Sequence, residues 1–110
     1  MAEVRRWLTT SEVDHALRSE PLLRSAFFFL MTPGELAGHL GREAAFFRAR
    51  AARCRALADA KDRGEFGYSP LTQSLRVALE ASLRVDEALA GWAEWAKTVP
   101  PATAEHVKAE

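Results

Sequence analysis

Apolar residues recur at helical rather than strand spacing along nearly the whole chain. Val4, Trp7 and Leu8 fall at i, i+3 and i+4 and predict a short amphipathic helix at the start. Thr9-Thr10-Ser11 is a polar break, and the stretch up to Ser19 carries Val13 and Leu17 without a decisive period, so it reads as a loop with at most a helical turn. Ser19 ahead of Glu20-Pro21 has the form of an N-cap with proline in the first turn, which predicts a helix running to about Leu30. Phe27-Phe28-Phe29-Leu30 would cover almost the full circumference of that helix, and such a helix needs burial on several sides.

The strongest local signal is Thr32-Pro33-Gly34-Glu35, a threonine cap with proline at N1 and a glutamate placed to close a capping box. A helix from there to about Lys61 meets only Gly38 and Gly41 as weak points. At 1.5 Å per residue its roughly 28 residues span about 42 Å. Asp62-Arg63-Gly64-Glu65-Phe66-Gly67-Tyr68 is turn-forming, and Ser69-Pro70 caps a second long helix that ends near Thr98, ahead of Val99-Pro100-Pro101. Residues 99–110 form a polar tail expected to fray. The fold expected is all-α, in one domain spanning 1–110, with two long antiparallel helices and short N-terminal helices intertwined as a homodimer.

A partner is expected because the long helices carry more apolar surface than one chain can cover. On the second, Leu71, Leu75, Ala78, Ser82, Val85, Leu89, Trp92 and Ala96 step alternately by four and three, as in a coiled coil. Ala37, Leu40, Ala44, Phe47, Ala51, Cys54 and Ala58 form the matching row on the first, and the two rows suit a hairpin. A globule of this length is only about 30 Å across, so the rods project beyond it. Leu36, Phe46 and Leu57, with Leu79, Leu83, Ala90 and Trp95, are then left over, and two-fold self-association is the simplest cover. The candidate dimer interface is Phe27, Phe28, Leu40, Phe47, Ala51, Leu71, Leu75, Val85, Leu89 and Trp92. A monomeric three- or four-helix bundle is the competing reading.

Composition narrows the chemistry without supplying any. Fifteen basic and fifteen acidic residues cancel across 110 residues, so no net field draws the chain to nucleic acid or an anionic membrane. The most apolar run, 26–31, is far short of the roughly 18 residues of a membrane span, and no signal-peptide pattern opens the chain; a cytoplasmic protein is expected. One cysteine, Cys54, and three scattered histidines offer no metal site and no disulfide framework. His39, with Glu35 and Glu43 at i−4 and i+4, could form a proton-transfer set, but a solvated, salt-bridging histidine is the simpler reading. Cys54 reads as a small buried hydrophobe. Arg42, Arg48, Arg50, Arg53 and Arg55 read as a solvated face or as dimer-rim pairing. No phosphate loop, nucleophile elbow or apolar carboxylate pair is present, and neither an enzyme nor a cofactor is expected. Phe46, Phe47, Trp92 and Trp95 are candidate ligand-binding residues for a flat aromatic effector, with core packing as the alternative.

In order and spacing the chain resembles the C-terminal, virulence-activator-like domain of PadR-like transcriptional regulators. Arg5-Arg6-Trp7-Leu8 resembles the end of that family's winged helix, and Glu20-Pro21-Leu22-Leu23-Arg24 leads into Phe27-Phe28-Phe29-Leu30 as the family's entry segment does. Thr32-Pro33-Gly34-Glu35-Leu36 resembles its long-helix start, and Trp92-Ala93-Glu94-Trp95 its closing helix. The resemblance implies a cytoplasmic homodimerisation domain, effector-binding in some members, that reaches DNA only through a winged helix missing from these residues. The chain is then either a piece of a longer regulator or a free-standing relative. The alternative is a free-standing helical domain that binds a small molecule in an aromatic cleft at its dimer interface.

Overall fold

The computed structural model describes residues 1–15 and 19–99, which contain helices and no strand. Helix α1 spans Ala2–Thr10, α2 Glu20–Ser25, α3 Pro33–Asp62 and α4 Pro70–Ala96, with a 3-10 turn at Phe28–Leu30. The expected tail lies outside the described residues from position 100 onward. Thr9 and Thr10 extend α1 instead of ending it, because their hydroxyls donate back to the carbonyls of Arg5 (2.9 Å) and Arg6 (2.6 Å). No residue of α1 is buried.

The helix expected from 20 to 30 is broken. It ends at Ser25, and the chain tightens into the 3-10 turn three residues later, at Phe28. A continuous α-helix would fan four consecutive apolar side chains around its axis, at 100° per residue. The tighter turn sends Phe28 inward, where its ring stacks on Trp92 (centroids 6.3 Å apart) and meets His39 edge-on (5.5 Å). Phe27, Phe29 and Leu30 stay exposed.

The long helices begin where their caps place them. Glu35 N–H donates to Thr32 Oγ1 (3.1 Å) and Thr32 N–H to Glu35 Oε1 (2.9 Å), closing the capping box. Thr72 N–H donates to Ser69 Oγ (3.2 Å) at the start of α4. Gly64 and Gly67 take φ of 85° and 76° in the turn between them. At Gly64 the positive φ itself disfavours a side chain, and a Cβ would also press on the end of the Tyr68 side chain, which would have to shift. With 30 residues α3 is about 45 Å long.

Packing of α3 against α4 is the dominant tertiary contact among the described residues. The helices run antiparallel, in a register marked by Asp62–Arg76 (2.9 Å), Arg50–Asp86 (2.8 Å) and Arg48–Glu94 (3.7 Å). Buried between them are Leu40, Ala44, Phe47, Ala51 and Ala58 of α3 and Leu83, Asp86, Ala90 and Ala93 of α4. The row foreseen on α3 is therefore the one in use, except that Cys54 is only half-buried and Ala37 is exposed.

On α4 the expected row is displaced by one residue. The helix turns Leu83, Asp86, Ala90 and Ala93 to α3, leaving Leu71 (69% exposed), Leu75 (54%) and Val85 (55%) on the surface. Asp86 breaks the apolar character of the true row, and Thr72 and Arg76 continue it with polar groups, so hydrophobicity alone points to its neighbour. Leu83 and Ala90, expected to be left over, are fully buried instead. Leu40, Phe47 and Ala51, assigned to the interface with a second copy, are used up inside the chain. The radius of gyration is 19.4 Å, against about 13 Å for a compact globule of this length.

Candidate interaction face

The hairpin has two unlike faces. One is polar, with Arg48 paired to Glu94 (3.7 Å) and Arg55 to Glu87 (3.8 Å) beside Ala52. The other carries Phe46, Arg50, Cys54 and Leu57 from α3 beside Leu71, Leu75, Ala78, Ser82 and Val85 from α4. Most of these apolar side chains are about half exposed, a contiguous patch of the kind that marks an interaction surface. Four members of the sequence-assigned interface lie on it: Leu71, Leu75 and Val85 are exposed, while Leu89 is half-buried. At the Trp92 end Phe28 closes over the face, and Trp92 is half-buried beneath it. Phe27, the remaining member, is exposed beside that lid.

Two depressions mark the open part. Toward the interhelical turn, Leu57, Phe66, Leu75 and Leu79 line a mainly apolar groove of about 390 Å³, with the aliphatic stems of Lys61 and Arg76 at its edge. The Lys61 ammonium sits 4.8 Å from the centre of the Tyr68 ring. The second, of about 460 Å³, lies among Arg50, Cys54, Ala81, Ser82, Val85 and Asp86.

Arg50 and Asp86 are the feature that sequence reading missed. The Asp86 side chain is only 3% exposed, and both its oxygens accept from Arg50, at 2.8 and 3.0 Å. The Arg50 side chain is 45% exposed, and its guanidinium lies over Phe46, 5.0 Å from the ring centre, and near Phe47, at 5.6 Å. The hydrogen bonds that Arg50 donates to Asp86 raise the arginine pKa further above its already high ordinary value. A carboxylate about six-tenths of the way along an apolar-looking helix was the available signal, and Arg50 thirty-six positions away gave no local hint of pairing.

A second network sits near the turn. Arg76 donates to Asp62 (2.9 Å) and Glu80 (3.0 Å), and Glu80 also accepts from Arg84 (2.9 Å). These bonds hold both carboxyls below the usual carboxylate range: Asp62 through Arg76, and Glu80 through Arg84 first and Arg76 second. A lowered folded-state pKa contributes stability above the unfolded value, near pH 4, that is lost as pH falls through the folded one. The melting temperature is therefore expected to fall as pH drops from 5 to 2. Arg76→Gln should flatten that fall, chiefly through Asp62; an identical pH slope in a thermal melt of the variant would assign it to other groups.

The remaining candidates separate. Phe46 meets Phe47 edge-on at 5.3 Å, Trp92 stacks on Phe28, and no ring contact joins these pairs among the described residues. Trp95 is 61% exposed. His39 is not on a solvated face: its side chain is 15% exposed, under Phe28 and 3.7 Å from Glu43. Among the described residues no group of three His, Cys, Asp or Glu could hold a metal, and no helix is long and apolar enough to cross a membrane. No family model, curated protein or solved structure matches the sequence.

Proposed function

We propose that this chain is a self-association domain, and that it serves as the dimerisation part of a PadR-like transcriptional regulator in the cytoplasm, reaching DNA only through a winged helix outside these residues. The observation that carries the reading is the apolar face of the hairpin, left open while α4 spends its more polar row on α3. Burying such a face in water is favourable at about 25 cal/mol per Å². The zero net charge of the chain adds no global repulsion between copies. The regulator assignment is supported by the order of the Glu20-Pro21, Thr32-Pro33-Gly34-Glu35 and Trp92-Ala93-Glu94-Trp95 segments, of which Thr32-Pro33-Gly34-Glu35 closes its capping box at the start of a long helix.

Sedimentation equilibrium at micromolar protein is expected to give twice the chain mass. Leu75→Glu and Val85→Glu, each placing a charge on the open face, should shift the species to monomer while far-UV circular dichroism still reports helix. A helical wild-type monomer, or dimers retained in both variants, would sink the proposal.

A further inference from the structure

The open face has a shape as well as a polarity. Cys54, Ala78, Ala81 and Ser82 make its middle low and small. Phe46 stands to one side of that middle, and the 390 Å³ groove lies to the other. Cys54 is eight residues from Phe46, about 12 Å along α3. The groove opens in the opposite direction: its lining begins at Leu57 and Ser82, beside Cys54, and runs out to Lys61 and Leu75, seven residues or about 10 Å past Cys54 and Ser82. Knob and outer end of the groove thus lie at similar distances, about 12 and about 10 Å, on opposite sides of a line drawn across both helices through Cys54 and Ser82.

Resting on the self-association reading above, we infer that two copies pack face to face about a two-fold axis along that line, so that Phe46 of each fills the groove between Leu57, Phe66 and Leu75 of the other. The axis turns α3 over its symmetry mate in the opposite direction and does the same to α4, giving a four-helix bundle whose neighbours are all antiparallel. An axis along the helices instead is blocked. It would bring the Phe28 lid of one copy against the lid of the other, and leave both grooves empty. With the axis across the helices, each lid meets the turn end of its partner, where Leu71 and Tyr68 are exposed.

Charge and area fit a second copy of this chain. Cations on the face are already satisfied in place: Arg50 by Asp86, Arg76 by Asp62 and Glu80, and Lys61 over Tyr68. An acidic partner would find little free positive charge, whereas an identical face meets no new like-charge conflict. Phe46, Leu57, Phe66, Leu71, Leu75 and Val85 are each about half exposed or more. At about 100 Å² apiece, and with the small residues between them, they offer roughly the 800 Å² that one partner contributes to a standard interface.

Identical residues meet across a two-fold dimer only near its axis, and a disulfide needs Cα atoms within about 7 Å. Diamide, which takes up the two hydrogens of a thiol pair, is therefore expected to convert the wild type into a Cys54-linked dimer on non-reducing gels. Ser82→Cys in a Cys54→Ala background should cross-link as readily, and Val77→Cys on the outer side of α4 should not. Phe46→Ala should weaken the dimer about 30-fold in sedimentation while helix content is kept. A wild-type dimer that cross-links at neither Cys54 nor position 82, or that binds equally well without Phe46, overturns the axis and leaves self-association standing. A monomer overturns both.

Discussion

Leu83→Ala is expected to lower the unfolding free energy by about 3 kcal/mol, read from urea titrations followed by far-UV circular dichroism at fixed protein concentration. Leu83 is fully buried and, with Leu40, is one of the two largest side chains so enclosed among the described residues. The rest of the buried α3–α4 contact is largely alanine, with Leu40 and Phe47 as the other bulky members. Removing the isobutyl group from such a row leaves a cavity that backbones already in close approach cannot collapse to fill. Leu75→Ala removes the same atoms from a half-exposed site and should cost under 1 kcal/mol of hairpin stability, its effect falling on association instead. Equal costs at the two positions would mean that α4 is rotated from the orientation described.

Arg50→Ala is expected to cost about 2–3 kcal/mol, and Asp86→Ala only about 1 kcal/mol, although the two residues share the same pair of hydrogen bonds. The asymmetry comes from burial. Without Arg50 the Asp86 carboxylate stays almost wholly enclosed with no countercharge; without Asp86 the half-exposed guanidinium turns to water and keeps its contact with Phe46. The Arg50 value sits below the usual range for a fully buried pair because water can enter where the guanidinium lay. Arg50→Met with Asp86→Leu should recover most of the loss, since neither charge is then left alone. Denaturation of the three variants checks this, and a costlier Asp86→Ala would reverse the assignment of which partner is trapped.

Local chemistry wrote the long helices plainly. Thr32-Pro33-Gly34-Glu35 and Ser69-Pro70 fix their starts with side chains that bond within three residues, and the turn glycines fix where the hairpin reverses. What was not legible depended on distant partners. Asp86 is a core residue because Arg50 reaches it across the hairpin, so a purely apolar reading takes the adjacent row. Ser25 ends α2 because Phe28 has Trp92 and His39 to pack on, a contact no local period announces. The interface half of the sequence reading divides along the same line. Leu71, Leu75 and Val85 lie on the open face, whereas Leu40, Phe47 and Ala51 serve the hairpin itself.

The turn at Gly64 and Gly67 also orders events in time. Asp62 and Arg76 are only 14 positions apart, Arg50 and Asp86 36, and each further contact lies farther along both helices. Closing short loops first costs the least chain entropy, so the hairpin zips outward from its glycines, and such local topology puts folding in the microsecond-to-millisecond range. By that reasoning the Arg50–Asp86 bond is expected to form midway through the zipping, and the Phe28 contact with Trp92, at the open end of the hairpin, after it. A chain assembled in this order hides its inner row early and presents its outer one last.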